Sequence, residues 1–196
     1  MVLALIYFMF KKRKTYEQIL DGAIHIERNF LDEDFYNETF ERFKKLKYNA
    51  YYQPYKNYYG NRFQGSPVHE VFLKDEKFNQ IIINKIEHLI ECKIKDVLLK
   101  VRKVNSEEIA KSKFNNKYGP IHTDVETTLA AILPFFQSAS GGTAFFEHLV
   151  DQYPDITIGA YPNRLIIFNG NRPHAPCNDL TYDETYKLNI FFNLCS

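Results

Sequence analysis

The sequence predicts a mainly β fold with flanking N-terminal helices and a double-stranded β-helix core, of the jelly-roll or cupin-like kind. Three observations lead there. Short apolar stretches punctuated by Gly, Pro, Asn and Asp follow one another from residue 119 to residue 194, as in closed or two-sheet antiparallel folds. The two stretches of helical periodicity, 33–47 and 76–92, both precede them. His122 and Asp124 stand two residues apart in an early strand, and His174 opens a late one. In a jelly roll, such strands meet at the open end of the barrel.

At 196 residues the chain is most simply one domain, with residues 1–96 as helical and strand support carrying a Tyr-rich loop, and 97–194 as the jelly-roll core. Twenty-five basic and 24 acidic residues leave a formal charge of +1, so no strong field draws the chain to nucleic acid. Three scattered cysteines, Cys92, Cys177 and Cys195, make no disulfide framework and point to a reducing, cytoplasmic setting for a soluble protein. The apolar run Met1 to Phe10 precedes Lys11-Lys12-Arg13-Lys14. As a helix it spans only about 15 Å, half a bilayer core, and its basic residues follow the run, the reverse of a secretory signal. A buried or pairing first strand is preferred over a membrane-touching segment, and no stable membrane span is expected.

In order along the chain, Ala23 to Ile26 reads as a short strand with a structural His25, and Asp32 can cap the helix that follows. Tyr36, Phe40 and Phe43 give that helix, 33–47, its apolar face. Residues 48–63 carry Tyr48, Tyr51, Tyr52, Tyr55, Tyr58, Tyr59 and Phe63 without periodicity, broken by Pro54 and Gly60, and read as a loop. Tyrosine joins apolar area to a polar tip, so three readings stand: a substrate-facing lid with Tyr55, Tyr58, Tyr59 and Arg62 as contacts, an aromatic flap packed on the core, or a stacking surface for single-stranded bases. Phe78, Ile82, Ile86, Leu89 and Ile90 define the second helix. Residues 97–104 alternate as a strand with one solvated face, and Asn105 to Lys117 form a polar loop. Strands follow at about 119–123, 129–136, 143–147, 156–160, 164–169, 173–177 and 186–194, with Ser138 to Gly142 as a turn.

Successive side chains of a strand point to opposite faces, so His122 and Asp124 share one face and Thr123 takes the other. A strand alongside adds His174. Two imidazoles and one carboxylate leave the other positions of a metal open, which suits non-haem Fe(II). No thiolate is present in the set to favour structural zinc.

On these residues, with the intervening apolar runs 129–136, 143–146 and 165–168 and the closing stretch Tyr186-Lys187-Leu188-Asn189-Ile190-Phe191-Phe192, the sequence resembles the Fe(II)/2-oxoglutarate-dependent dioxygenases. Within them it is most similar to the prolyl-4-hydroxylase-like branch, over residues 97–194. The resemblance implies Fe(II) as the metal, 2-oxoglutarate and O2 as cosubstrates, and ascorbate as an optional reductant. It implies that Lys187, thirteen positions after His174, binds the remote carboxylate of 2-oxoglutarate. Relatives often place a tyrosine in the strand after His-x-Asp to share that carboxylate; here the place falls on Pro134 or Phe135, neither of which donates. Tyr118 or Asn189 is the candidate replacement. His148 is expected at the rim as a substrate contact. Arg172, two residues before His174, is expected on the same side, as a substrate contact or a partner of the ligand.

The implied reaction couples decarboxylation of 2-oxoglutarate to succinate and CO2 with hydroxylation of a C–H bond, foremost in a prolyl or other side chain of a peptide or protein. A free amino acid or other small molecule is an alternative substrate. An oxidative nucleic-acid demethylase would share Asn189 but carry arginine where this chain has Asn193. A catalytically silent jelly-roll binding module is the alternative outside enzymes.

Overall fold

A computed structural model describes residues 13–56, 62–105, 118–124, 126–136, 138–177 and 184–195. Three helices and ten strands follow in the order α1 (Thr15–Leu20), β1 (His25–Arg28), α2 (Glu33–Lys44), β2 (Asn49–Lys56), β3 (Arg62–Phe72), α3 (Glu76–Ile90), β4 (Ile94–Asn105), β5 (Leu129–Pro134), β6 (Ser138–Phe145), β7 (Ile156–Ala160), β8 (Arg164–Asn169), β9 (His174–Cys177) and β10 (Glu184–Leu194). Seven strands form one sheet in the order β1-β8-β5-β10-β4-β3-β2, and three form a second in the order β7-β6-β9. All ladders are antiparallel. Isolated bridges Tyr118↔Cys177 and His122↔His174 continue the small sheet beyond β9. This two-sheet arrangement is the expected jelly roll.

Alternation along the strands divides most apolar residues between two cores, with a third, small cluster on the other face of the small sheet. Leu99 and Val101 of β4 and Leu188, Ile190 and Phe192 of β10 face outward, under Phe43 of α2 and Ile82, Ile86 and Ile90 of α3. Ala130, Ile132, Phe145, Ile158, Ile166, Phe168 and Phe191 face inward and fill the space between the sheets. The helices are therefore a buttress on the large sheet, which leaves its inner face for the site. Asp75 caps α3 by accepting from the Phe78 amide at 3.0 Å, and Glu91, at φ 59°, ends it.

Several expectations are corrected. Asp32 stands at the start of α2, but its carboxylate accepts from Lys85 Nζ at 3.2 Å instead of capping the helix. The helices stop at Lys44 and Ile90, and α1 was not foreseen. Residues 138–142 belong to β6, where a register shift against β7 lies between Ser138 and Gly142. The Tyr-rich stretch is a hairpin in place of a loop: β2 and β3 pair from Asn49↔Glu70 to Lys56↔Arg62. Its Pro54 sits at the register shift of an edge strand, where a missing N–H costs no ladder bond. Tyr55 and Arg62 lie on its backbone; Tyr58, Tyr59, the apolar residues 1–10 and most of the polar loop lie outside the described residues. No helix among the described residues is long and apolar enough to cross a membrane.

Candidate metal centre

The centre is built on the end of the small sheet. His122 and His174 are directly opposed and exchange two backbone hydrogen bonds, each 2.9 Å. Their rings lie on the same face with centroids 4.4 Å apart. Each imidazole is also fixed from behind: Nδ1 of His122 bonds to the Pro120 carbonyl at 3.0 Å, and Nδ1 of His174 to the Arg172 carbonyl at 2.9 Å. A carbonyl only accepts, so both Nδ1 atoms carry the proton and both Nε2 lone pairs are free for a metal. Phe168 packs edge-on against His174 at 4.7 Å and walls it off from solvent.

Asp124 reaches the same point through its own backbone. Its amide donates to Gly170 O at 2.7 Å, and its carbonyl accepts from the Thr127 amide and hydroxyl, both at 2.9 Å. A Cβ on Gly170 would fall 2.5 Å from Thr127 O and 3.1 Å from Asp124 O, so this approach requires glycine. Asp124 Oδ2 comes to 3.4 Å from His174 Nε2. One ligand atom from each of the three residues lies within 4.8 Å of the other two, and among the described residues this is the group that could hold a metal ion.

Electrostatics suit the same use. Burial, and for His122 the neighbouring His174, pushes both histidines down to about 4. They stay neutral, as ligands must. Burial raises the Asp124 carboxyl, against the pull of His122. A divalent cation would reverse that shift and restore the carboxylate. The donor set, its open side and its neutral imidazoles fit an iron(II) site of the two-histidine, one-carboxylate type.

Behind the triad lies a cavity on the inner face of the large sheet, lined among others by Lys100, Arg102, Thr143, Lys187 and Asn189. Lys187 and Arg102 are register partners, as are Asn189 and Lys100. Burial, then the positive charge of Arg102, pushes the Lys187 amine down to about 7. Glu70 of β3 accepts from Arg102 Nε at 2.8 Å and from Lys100 Nζ at 3.2 Å. Such a cavity is shaped for an anion.

The structure brings together His122, Asp124, His174, Lys187 and Asn189, and leaves other expected residues out. Tyr118 stands edge-on to Phe146 at 5.9 Å, in the cluster of Ala144, Ala175 and Cys177 on the opposite face of the small sheet. Arg172 turns away: Nη1 donates to Gly22 O at 2.6 Å and the guanidinium lies over Phe145 at 5.4 Å. Only its carbonyl serves the site, through His174. Residues 171–173 form a turn before β9, so two-residue alternation does not apply to them. His148 is exposed in the turn after β6, where its amide donates to Asp151 at 2.7 Å, and it does not line the cavity. Phe135 stacks on Tyr36 at 4.7 Å under α2. Sequence reasoning missed Lys100, Arg102 and their partner Glu70. Their alternation in Lys100-Val101-Arg102 was visible, but it reads equally as a solvated face.

No family model matches the sequence, and no curated protein matches it. Solved structures do match in fold. A prolyl-4-hydroxylase of Pseudomonas putida aligns with a TM-score of 0.58 and 13% identity, over 93% of this chain and 98% of that one. A non-heme alpha ketoglutarate dependent epimerase from nogalamycin biosynthesis gives 0.60 and 12%, over 90% and 81%. A prolyl hydroxylase of Trichoplax adhaerens, in complex with a hypoxia inducible factor peptide fragment, gives 0.58 and 11%, over 91% and 87%. The chain shares its overall fold with these three structures.

Proposed function

We propose that the chain is a non-haem iron- and 2-oxoglutarate-dependent oxygenase of the prolyl-4-hydroxylase-like branch, hydroxylating a side chain of a peptide or protein. The observation that carries this reading is the convergence of His122, Asp124 and His174 on one point, lining one cavity with the basic residue Lys187. Lysine is a compact point charge, and a buried one suits a carboxylate. The fold shared with two prolyl hydroxylases and an alpha ketoglutarate dependent epimerase supports chemistry that uses the same cosubstrate.

In this reading His122, Asp124 and His174 hold Fe(II), with their orientation fixed by Pro120, Arg172 and Gly170. Bound iron and 2-oxoglutarate supply the oxidising chemistry, using O2 and releasing succinate and CO2. Lys187 holds the remote carboxylate by a charge-assisted hydrogen bond, and Asn189 offers an amide on the same wall. Phe168 and Phe191 add apolar surface to the cavity wall. The peptide class draws support from the two prolyl hydroxylases among the neighbours, one of them with a peptide bound. Asn193, where a demethylase would carry arginine, is committed to the Thr128 amide at 2.9 Å and its hydroxyl at 3.0 Å. We read the chain as one domain, a reading supported by β1 and the β2–β3 hairpin joining the same large sheet as the core strands. Its free cysteines favour a reducing interior.

The test is anaerobic loading with Fe(II) and 2-oxoglutarate, followed by O2 and a peptide library. Succinate formation with a single added oxygen on a peptide is the expected result. A protein that binds Fe(II) without consuming 2-oxoglutarate would end this reading.

A further inference from the structure

Lys187 is flanked on the large sheet by two strands, and they differ in what they offer. On β5 its register partner is Pro134, which has no donor. On β4 its register partner is Arg102. Directly opposed residues of an antiparallel pair carry their side chains on one face, within reach of each other. Both line the cavity behind the metal triad. Two cations have thus been placed face to face in a buried space, where like charges repel.

The local carboxylate does not resolve that repulsion. Glu70 gives one oxygen to Arg102 and the other to Lys100, and all three side chains are largely buried. It leaves the guanidinium with donors to spare, since Arg carries five N–H groups and Glu70 takes those on Nε and Nη2. A guanidinium directly opposed to Lys187, lining the same cavity as the metal ligands and using only Nε and Nη2 among the described residues, can take a further anion.

We propose that Arg102 is a second cation of the cosubstrate pocket, closing with Lys187 from the opposed strand on the remote carboxylate of 2-oxoglutarate. Glu70 acts as its positioning residue, holding the guanidinium at Nε and Nη2. The donor that β5 lacks is thereby supplied from β4. This inference rests on the reading of the cavity as a cosubstrate site.

Calorimetry under nitrogen on the full chain loaded with Mn(II) separates the two claims. The titrants are 2-oxoglutarate and 2-oxobutanoate, which keeps the α-keto acid end and lacks the remote carboxylate. Wild-type protein is expected to bind 2-oxoglutarate the more tightly. Arg102→Met should weaken 2-oxoglutarate by about 10–100-fold, the worth of a hydrogen bond to a charged group, and leave 2-oxobutanoate and Mn(II) unchanged. Arg102→Lys keeps the charge and loses the fork; it should fall between the two and carries the test if the Met variant does not fold. Unchanged 2-oxoglutarate affinity in these variants, or an equal loss for both keto acids, overturns the role of Arg102. Wild-type protein that binds neither keto acid overturns the cosubstrate reading itself, and this inference with it.

Discussion

His122 and His174 face each other as a directly opposed pair, joined by two backbone hydrogen bonds of 2.9 Å. The separation of the two imidazoles is therefore set by strand pairing and does not depend on how a loop settles. A site so preformed should bind metal without refolding. Saturating Mn(II) under nitrogen is expected to raise the melting temperature of the wild type, with about 2.7 kcal/mol of stabilisation at a hundredfold excess over Kd. His174→Ala keeps both backbone bonds and should remain folded, but it should lose the metal-dependent shift. A variant that still shifts with Mn(II) would place the metal elsewhere.

The third ligand depends on a different contact. Asp124 is seated by its bond to Gly170, and a methyl group there would come within 2.5 Å of Thr127 O. That atom is backbone and cannot swing aside. Gly170→Ala should cost about 1–3 kcal/mol of stability, as overpacking does, and weaken metal affinity by moving Asp124. Thermal melts and metal titration read the two effects separately. Unaltered metal affinity would mean that Asp124 tolerates the shift or is not a ligand.

The triad was legible because a two-residue spacing put His122 and Asp124 on one side; the structure supplies this with an isolated bridge from His122 to His174 and a separate bond from Asp124 to Gly170, where no regular strand forms. The cation group was not. Lys100 and Arg102 alternate with Leu99 and Val101 as polar against apolar, and nothing local tells a polar face lining a barrel from one facing water. Glu70 lies thirty residues from Lys100, and only sheet pairing unites them. The Tyr-rich hairpin was missed for the converse reason: its sequence has no alternation of its own, and its two strands pair with each other, only the inner end of β3 joining β4. Arg172 misled because a two-residue offset carries meaning only within a strand, and β9 begins at His174.

Lys187 gives a pH-dependent prediction. Its amine is pushed from the ordinary 10.5 to about 7, chiefly by burial. Between those values the unfolded chain holds a proton that the folded, ligand-free protein has lost. Stability therefore falls as pH drops from 10.5 towards 7, and the full cost persists below that. Lys187→Met should accordingly melt higher than wild type at about pH 6, with the gap closing towards about pH 10. The same variant should lose tight 2-oxoglutarate binding. Calorimetric melts of metal-free protein across that range decide it, and a gap independent of pH would remove lysine ionisation as the cause.

The last prediction concerns the substrate. Only His69 to Phe72 of β3 pair with β4, while the rest of β3 pairs with β2 alone. The outer half of the hairpin, bearing Tyr51, Tyr52 and Tyr55 on β2, therefore extends past its sheet neighbour among the described strands. It leaves β4 beside Lys103, next to the cavity residue Arg102. A two-stranded arm is marginal alone, and one rich in rigid amphipathic rings gains most by closing on a ligand. We expect the Tyr-rich tip to border the pocket and cover an extended peptide. Replacing Tyr55, Tyr58 and Tyr59 by alanine should lower peptide hydroxylation by tenfold or more, about 1.4 kcal/mol, while slow uncoupled turnover of 2-oxoglutarate continues. Ionic strength identifies the ligand class: contacts to several phosphates weaken steeply with salt, whereas aromatic contacts to a neutral peptide do not. Normal hydroxylation by the triple variant would make the hairpin a packing element and leave substrate choice to the barrel mouth.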